Sequence, residues 1–381
     1  KQNEQQRTRK EAAHLGFDDI SGQLDAALDQ YDGVSFVPFS WVAALIVAYI
    51  LIIGPGDYFF LRKVVGRMEL TWITSTLTVV VFSAIAWALV GWPRGDRTQI
   101  AGVDLVDVDV ATGQVRGTHW RRVYSPRNQR FNLAMQSTFG EPLAQPPAGM
   151  LLAWHGLPGK SISGMDAASR AGAVGRDYAI VADSDVDQTR IESLPIAVGG
   201  SKGLLARSWS ECRLTGPSLE YTPQRQIRGV VENPFDVRLA NCVLYHDRWA
   251  YPLETLEPGQ TVAIDDRTHV LDVAWMLTER APIEGRNVAL AWDHERRDDP
   301  GRIMRMMMFH QAAGGRLHTN LLHRYFAYVD LSQHLPLERA ILVGEANQRA
   351  AQLSFGDAAE AAPTGRLHTY YRLVLPTRPR E

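Results

Sequence analysis

The sequence predicts a transmembrane α-hairpin joined to a mainly-β soluble region, an antiparallel, immunoglobulin-like sandwich with a short helical insert. Three observations indicate this fold class. Two uncharged apolar runs lie near the start of the chain, alternating apolar and polar residues recur over the long stretch that follows, and helical spacing returns near residue 300. A chain of 381 residues is long enough for more than one folded unit.

The two apolar runs cover residues 36–53 and 70–92, and neither contains a charged side chain. Crossing the hydrocarbon core takes about 20 apolar residues, so each run is long enough for one transmembrane helix. The glycine and proline residues at 54–56 are expected to break the first helix as it leaves the bilayer. We therefore predict a two-pass hairpin over residues 36–92 that lies in the lipid bilayer.

The orientation of this hairpin is predicted from the charges between its spans. Arg62, Lys63 and Arg67 place three positive charges in one short loop, and short basic loops are usually cytoplasmic. Arg94 and Arg97, just after the second span, count against this orientation. We expect an inner-membrane protein whose bulk lies on the extracytoplasmic, periplasmic side.

Residues 1–35 form a polar and amphipathic lead-in. Residues 20–31 place apolar side chains on one helical face, with Ser21 as the expected N-cap. Two interpretations stay open: a plain surface helix, or the last helix of an upstream domain. Because the sequence begins with Lys1 rather than Met, we expect it to be part of a larger protein.

Residues 93–298 are predicted to form the β-rich region. Valine and aspartate alternate at 106–110 before a Thr-Gly turn at 112–113, which is typical of a β-hairpin. Short strands separated by Pro, Gly and Asn turns continue from residue 203 and favour a sandwich. Residues 299–335 carry helical spacing after the Asp-Pro start at 299–300, and residues 336–381 return to strands that complete the β region.

Composition narrows the range of partners and chemistry. The net charge is −2 and no basic stripe is visible, which argues against nucleic acid as a partner. Cys212 and Cys242 are placed in neighbouring predicted strands. Two interpretations stay open for them: small buried hydrophobic side chains, or an inter-strand disulfide in an oxidising compartment.

Two loop motifs are incomplete. Residues 156–161 (GLPGKS) resemble the end of a phosphate-binding loop, but Trp154 occupies the position of the first glycine and no suitable apolar strand is expected before it. Residues 183–187 (DSDVD) have the spacing that begins a calcium loop. There, Gln188 replaces the turn glycine and Leu194 replaces the bidentate glutamate, so an acidic surface loop is expected instead.

The histidine and serine patterns do not define a site either. The helical region and the residues before it contain four histidines without His-x-x-x-His spacing, so zinc binding has no support from the sequence: His294, His310, His318 and His323. Ser161 and Ser163 lie near His155, but no Gly-x-Ser-x-Gly elbow is present. We therefore predict no catalytic residues, no metal and no cofactor.

Four segments of the chain resemble parts of uncharacterised bacterial integral membrane proteins of planctomycete type: IGPGDYFFLRK, ELTWITSTLTVVVFSAIAWALV, GVVENPFDVRLANCVLYHDRWAYPLETLEPGQ and RIMRMMMFHQAAGGRLHTNLLHRYFAYVDLS. The resemblance extends over most of the chain from about residue 24 onwards. It implies a larger parent protein with an upstream extracytoplasmic domain. No activity and no site residues follow from it.

Together these observations favour a non-enzymatic function, as a membrane-anchored scaffold or binding subunit of a bacterial envelope complex. The expected partner is another membrane protein or a second copy of the chain. An accessory subunit of a transport or secretion system is the first alternative, and a membrane-anchored hydrolase is the second.

Overall fold

The computed structural model describes residues 17–34, 39–66, 70–91, 95, 97–139, 149–156, 178–183, 187–214, 219–283, 286–296, 298–356 and 366–380. The chain divides into two compact units. One unit is Tyr31–Arg97, which contains the apolar hairpin, and the other combines the residues on both sides of it. The fold is therefore a β-rich unit whose chain is interrupted by a helical one.

Seven α-helices lie within the described residues: α1 (Ile20–Leu28), α2 (Phe39–Leu51), α3 (Asp57–Phe60), α4 (Thr71–Gly91), α5 (Val273–Leu277), α6 (Pro300–Met308) and α7 (Arg316–Thr319). Two π-helical turns, Ile52–Gly56 and Leu61–Val65, follow α2 and α3. Two 3-10 turns, Ala327–Val329 and Ser332–His334, follow α7.

The first apolar helix does not break at residues 54–56, so that prediction is wrong. Helical geometry continues from α2 through both π-helical turns and ends at Gly66, which has a left-handed φ of 68°. Pro55 lacks an N–H group, and a π-helical turn accommodates the missing hydrogen bond without ending the helix. Arg62 and Lys63 consequently lie in the last helical turn rather than in a loop, and Arg67 lies outside the described residues.

Two helices are long and apolar enough to cross a membrane: Ser40–Lys63 and Thr71–Leu89. Tyr49 and Phe82 meet edge to face between α2 and α4, with ring centroids 5.4 Å apart. Most of the other large apolar side chains are exposed, including Trp72 (84%) and Trp87 (81%). Such a surface is unfavourable in water and is typical of a helix that contacts lipid or another helix.

The second unit is built on a mixed sheet of 16 strands, with a separate two-stranded ribbon. The strands are β1 (Gln99–Asp109), β2 (Gln114–Ser125), β3 (Gln129–Ser137), β4 (Gly149–His155), β5 (Ala179–Asp183), β6 (Gln188–Ile196), β7 (Gly200–Glu211), β8 (Leu219–Tyr221), β9 (Ile227–Glu232), β10 (Leu239–His246), β11 (Trp249–Leu256), β12 (Thr261–Ile264), β13 (Leu271–Asp272), β14 (Ala281–Ile283), β15 (Arg286–Val288), β16 (Arg339–Ala346), β17 (Ala351–Phe355) and β18 (Leu367–Pro379).

The main path of the sheet runs β13-β11-β10-β16-β18-β1-β2-β7-β4-β6-β3-β17. The hairpin of β1 and β2, with Gly113 in the turn at φ 74°, confirms the alternation seen in the sequence. The sheet is not purely antiparallel, because β18 pairs in parallel with β1 and β8, and β4 pairs in parallel with β6. The long strand β18 lies between β1 and β16, and so connects the strands on one side of the path to those on the other.

Two apolar cores lie along this sheet. The first core joins β8, β9 and β12 to β10, β11, β16 and β18, with Leu244, Leu342 and Leu373 fully buried. The second core is built mainly by β3, β4, β6 and β7, with Leu133 and Leu194 among its buried side chains. Strands β1 and β2 contribute to both cores, so their central residues lie at the boundary between them.

Helix α1 is a buried part of the β-rich unit and not a plain surface helix. Its N-cap is Asp19, which accepts a hydrogen bond from the backbone N–H of Ser21, so the prediction of Ser21 as the cap is wrong by two positions. The Gln23 side-chain amide donates to the Asp293 carbonyl at 2.8 Å, and the Trp292 indole N–H donates to the Gln23 Oε1 at 2.8 Å. These contacts hold the residues before the hairpin against residues more than 260 positions later.

The region 299–335 contains less helix than its apolar spacing predicts. Helix α6 begins after Asp299, whose side chain caps the Arg302 N–H, as expected. The helical spacing predicted over the whole of residues 299–335 does not produce a second long helix, since α7 ends at Asn320 in a left-handed conformation and only 3-10 turns follow. The rest of this region, residues 309–335, is mostly irregular, and we call it the 309–335 segment.

Candidate functional site

A polar chain of hydrogen bonds lies at the boundary between the two cores. Asp104 in β1 is paired across the sheet with His119 in β2, and Gly117 in β2 is paired with Ser208 in β7. Residues two apart share a face of a strand, so the three polar side chains lie on one face. The His119 Nδ1 is 2.7 Å from the Asp104 Oδ1, and the His119 Nε2 is 3.0 Å from the Ser208 Oγ.

Arg121 completes this polar network through the carboxylate. Its guanidinium contacts both Asp104 oxygens, at 2.7 and 2.9 Å, and the backbone N–H of Ala350 donates to the Asp104 Oδ2 at 3.1 Å. Burial alone would raise the pKa of Asp104, but the charges of Arg121 and His119 and their hydrogen bonds hold this pKa well below its usual range. Asp104 is therefore ionised at neutral pH, and its charge is compensated inside the protein.

Gly117 makes the close approach of Ser208 to His119 sterically possible. A Cβ atom at this position would lie 2.1 Å from the Ser208 Oγ and 2.5 Å from the His119 Nε2. Any larger residue would push the serine hydroxyl away from the imidazole. The network thus depends on a glycine in a central strand, where glycine otherwise weakens a sheet.

The order Asp–His–Ser matches the hydrogen-bond order of a hydrolytic triad. However, Asp104 and His119 have no exposed surface and Ser208 is only 6% exposed. A nucleophile has to reach the substrate carbonyl, and Ser208 lies in a strand flanked on both sides by β2 and β4. The geometry fits a buried network that fixes the register of three neighbouring strands.

The residues first considered for hydrolysis lie elsewhere. His155 ends β4 and lies 5.4 Å from the Phe326 ring, and burial lowers its pKa. Ser161 and Ser163 lie outside the described residues. Strand β4 directly precedes the GLPGKS motif, and it pairs antiparallel with β7 along its whole length. Only Gly156 of that motif is described.

The acidic segment 183–187 lies between the antiparallel strands β5 and β6. Asp183 pairs with Gln188, and Asp187 has a positive φ of 47°, while residues 184–186, Asp185 among them, lie outside the described residues. Leu194, where a calcium loop requires glutamate, is fully buried in the second core. A core strand therefore occupies the position that was compared with the bidentate ligand of a calcium loop.

Cys212 and Cys242 are both buried free thiols. Cys212 follows β7 and Cys242 lies in β10, and these strands are separated in the sheet by β16, β18, β1 and β2. Their placement in neighbouring strands is therefore wrong, although both side chains pack in the first core. Burial raises the pKa of both thiols, to about 11 for Cys242.

A second polar cluster lies in the 309–335 segment, and we call it the His310 cluster: His310, His323 and Asp330. One ligand atom from each side chain lies within 4.8 Å of the other two. His310 is 5% exposed, the other two are half-buried, and the two imidazole rings pack edge to face with centroids 5.4 Å apart. The sequence separations of 13 and 7 match no familiar metal motif, which is why the spacing did not reveal them.

Hydrogen bonds orient two members of the His310 cluster. The Thr319 hydroxyl lies 3.1 and 3.2 Å from the carbonyl oxygens of Gly315 and Leu321, and its single proton is donated to one of the two. Its oxygen therefore accepts from the His310 Nε2, 3.0 Å away, and the His310 Nδ1 keeps a lone pair. Asp330 accepts from the backbone N–H groups of Gln311 and Ser332.

His323 has no such partner. Both of its ring nitrogens are buried, and neither has a hydrogen-bond partner among the described residues. Burial, together with the nearby His310, lowers the pKa of His323 to about 4, and burial also lowers the pKa of His310. Both imidazoles are therefore neutral at pH 7, the form that binds metal ions.

The other two histidines of the sequence-based group are not members of this cluster. The His294 Nε2 lies 2.7 Å from the Thr319 carbonyl oxygen, and His318 packs against Trp292 with ring centroids 6.3 Å apart. Of the four histidines, the structure brings only His310 and His323 together with a carboxylate. Asp330 was not considered from the sequence, because its position seven residues after His323 matches no familiar metal motif.

Comparison with known proteins identifies one domain family. The model of a domain of unknown function (DUF8725) matches residues 217–360, which is less than half of the chain. This match covers β8 to β17, and so includes most of the first core and the His310 cluster. No match is found among curated proteins.

Among solved structures, the chain is similar to the yeast delta-COP-I mu-homology domain complexed with Dsl1 WxWxV peptide. The two sequences are 8% identical, and the alignment covers 72% of this chain and 95% of that one. The TM-score is 0.29, which is too low to support any argument about fold or function.

Proposed function

We propose that this chain is a membrane-anchored, non-enzymatic scaffold or binding subunit of a bacterial envelope complex. In this proposal the hairpin spans the inner membrane and the β-rich unit lies on the extracytoplasmic side. The similarity of four segments to planctomycete-type integral membrane proteins supports the bacterial membrane setting.

The anchoring proposal rests on one observation: the segments before and after the hairpin belong to the same folded unit. The chain leaves α1 to enter the hairpin and returns to β1, and α1 and β1 belong to the same compact unit. Arg122 in β2 forms ion pairs with Asp25 and Asp29 of the α1 region, the latter at 2.9 Å. A folded unit cannot be divided by a bilayer, so the hairpin must cross an even number of times.

The charges at the tip of the hairpin support the orientation. Arg62 and Lys63 lie in the last turn before Gly66, and the Arg62 guanidinium contacts the Tyr58 hydroxyl at 2.5 Å. An aromatic residue paired with a basic one is typical of the membrane interface, and basic residues near span ends favour the cytoplasmic side. The β-rich unit is then extracytoplasmic.

The arrangement of the first core supports an immunoglobulin-like sandwich as the finer architecture. Strands β8, β9 and β12 contribute buried side chains to the same core as β10, β11, β16 and β18. In the proposed sandwich, two layers of strands that share a core leave two outer faces and several loops for contacts with partners. Binding is therefore the function that this architecture serves best.

The topology is tested by cysteine labelling in intact spheroplasts with a membrane-impermeant maleimide. Asp266→Cys places a thiol on the β-rich unit, where Asp266 is 68% exposed, and Lys63→Cys places one at the hairpin tip. We expect labelling of Asp266→Cys in intact spheroplasts and of Lys63→Cys only after permeabilisation. The unmodified chain is the matched control, because its two thiols are buried. The reverse pattern would overturn the orientation.

The scaffold role is tested by purifying the tagged full chain from its native membrane in a gentle detergent. We expect a stoichiometric partner or a homo-oligomer by mass photometry. A partner made of transport or secretion subunits would select the accessory-subunit alternative. Recovery of the chain only as a monomer contradicts both forms of the proposal.

A hydrolase is the second candidate function, because Ser208, His119 and Asp104 are connected in triad order. It predicts that a fluorophosphonate probe labels the full chain and that Ser208→Ala abolishes the labelling. Ser210→Ala, two residues along the same strand, is the matched control. From the burial of Ser208 we expect no labelling of any of the three proteins.

A further inference from the structure

We propose that His310, His323 and Asp330 bind one divalent transition-metal ion of the Zn²⁺ class. This inference is independent of the proposed scaffold function. Two imidazole nitrogens and one carboxylate form the donor set of many zinc sites that keep a position open for water. All three residues come from the 309–335 segment.

The strongest observation is the unpaired imidazole of His323. Burying a polar nitrogen without a hydrogen bond is unfavourable, and native proteins avoid this unless a water or an ion satisfies the group. Both nitrogens of His323 are in this position within the described part of the chain. A metal ion bound to one of them would satisfy that nitrogen and leave the other to a water molecule.

The partners of His323 are already oriented for binding. The hydrogen bond from the His310 Nε2 to Thr319 leaves the lone pair of the His310 Nδ1 available. In many metal sites, the ring nitrogen of a histidine that does not bind the metal is held by a hydrogen bond of this kind. The Asp330 Oδ1 accepts from both the backbone N–H and the hydroxyl of Ser332, whereas the Oδ2 accepts from the Gln311 N–H and retains a lone pair for a metal.

The donor atoms of the His310 cluster have to move only a short distance towards one another to bind one ion. Tetrahedral donors at about 2.0–2.1 Å from zinc lie roughly 3.3 Å apart. The donor atoms of the His310 cluster lie within 4.8 Å of one another, so they would close by about 1.5 Å. Side-chain rotations in a mostly irregular segment supply a movement of this size.

Metal binding would also fix the 309–335 segment on the sheet. This segment carries Phe326, which packs edge to face on Trp120 of β2, and the Val329 carbonyl, which accepts from the Arg372 guanidinium. Residues 310 and 330 are connected through the ion in addition to the existing hydrogen bond from Gln311 to Asp330. The ion would therefore stabilise a segment that has little regular secondary structure of its own.

The test uses Zn²⁺ alone, and Co²⁺ as a spectroscopic probe, with the full chain in detergent. We expect one equivalent of Zn²⁺ by calorimetry and visible absorption bands of tetrahedral Co²⁺. His323→Gln and Asp330→Asn should each weaken binding by at least about 100-fold. His334→Gln, an exposed histidine in the same segment, is the matched control and should bind as the unmodified chain does.

A measurement on the unmodified chain keeps the test valid if a variant fails to fold. Zn²⁺ should slow amide hydrogen exchange within residues 309–335 and leave β3 to β6 unchanged. Weak binding of several ions to the eleven histidines of the chain, without slowed exchange in this segment, would overturn the proposal. Equal Zn²⁺ affinity of His323→Gln and the unmodified chain would also overturn it.

Discussion

Asp104 shows how a single buried carboxylate connects distant parts of this chain. It contacts His119, Arg121 and the backbone of Ala350, which is 246 positions away. A buried charge is tolerated only when it is paired and hydrogen-bonded, and both conditions are met here. Substitution of Asp104 therefore tests whether the two cores unfold as one cooperative unit.

Asp104→Asn should destabilise the β-rich unit by about 3–5 kcal/mol, because the buried guanidinium of Arg121 loses its counter-charge. Thermal unfolding of the full chain in detergent, followed by circular dichroism, measures the change. The matched control is Asp266→Asn, which removes an exposed partner of Arg228 and should change little. Equal unfolding temperatures for the two variants would show that the polar network has no special role in stability.

Gly117→Ala should disrupt the same network without changing any charge. The added methyl group would overlap the Ser208 Oγ, so the serine has to move away from His119. We expect a loss of about 1–3 kcal/mol, since the His119 Nε2 is left buried without a partner. Gly259→Ala offers a comparison at a site with no neighbouring atoms within 4 Å, although its φ of 69° adds backbone strain. If Gly117→Ala unfolds at the temperature of the unmodified chain, the close approach is unimportant.

His246 should make the β-rich unit sensitive to mild acid. Burial lowers its pKa below the ordinary 6.5, with a smaller opposite effect of its hydrogen bond to the Arg339 carbonyl. The unfolded chain therefore binds a proton more readily, and stability falls as the pH drops below about 6.5 towards the folded-state pKa. His246→Gln should reduce this decline, measured as unfolding temperature against pH, while the exposed His334→Gln should not. Identical pH profiles for both variants would contradict the prediction.

At the scale of elements, α1 and β18 determine how the chain closes on itself. Helix α1 would be too short to be stable alone, and its helicity depends on packing against the sheet. Strand β18 joins β1 in parallel although more than 250 residues separate them in the sequence. Neither the packing of α1 nor the pairing of β18 with β1 can be predicted from neighbouring residues. Apolar periods of 2 and 3.6 residues show only which side of a strand or helix is buried.

Arg122→Ala should loosen α1 from the sheet. The substitution removes the ion pairs with Asp25 and Asp29, and both carboxylates lose their counter-charge. We expect limited proteolysis of the full chain to cut faster within residues 17–30, seen by mass spectrometry of the fragments. Arg190→Ala removes the exposed pair with Glu192 and is the matched control. Unchanged cleavage in Arg122→Ala would mean that apolar packing and the other hydrogen bonds of this region, such as that from Ser201 to Asp29, are sufficient to hold α1.

At the scale of the whole molecule, the helical hairpin is an insertion into a β-rich fold. Insertions between two ends that belong to one folded unit are tolerated when the ends lie at its surface. In the proposed function the apolar surface of α2 and α4 belongs to an anchor, while the β-rich unit has two apolar cores of its own. These roles can be separated by experiment.

Replacing residues 35–97 with a flexible Gly/Ser linker of about 20 residues, with a reach of roughly 25 Å, should give a soluble protein without detergent. We expect α1 to remain docked and the unfolding temperature to stay close to that of the full chain. The same linker in the Arg122→Ala background serves as the control for α1 docking. Aggregation of the linker protein, despite correct expression of the full chain, would indicate that the hairpin is needed for folding.

Local patterns in the sequence predicted many of the strands well. The turn at residues 112–113, the short strands from residue 203 onwards and the return to strands after residue 336 all correspond to observed strands and turns. Helix continuity was predicted less well, since Pro55 did not end α2 and the apolar spacing after Leu317 did not produce a helix. In both places backbone conformations of single residues, which apolar spacing does not encode, decided the outcome.

By itself the sequence determined that two apolar helices precede a β-rich region, because hydrophobic runs and alternation depend only on neighbouring residues. Only the tertiary structure decided that the sheet is mixed, that α1 belongs to it and that Asp104, His119 and Ser208 are connected. The same holds for His310, His323 and Asp330. These groups form through strand pairing and chain reversal across 7 to more than 100 residues, and their contact energies depend on distances that no local spacing contains.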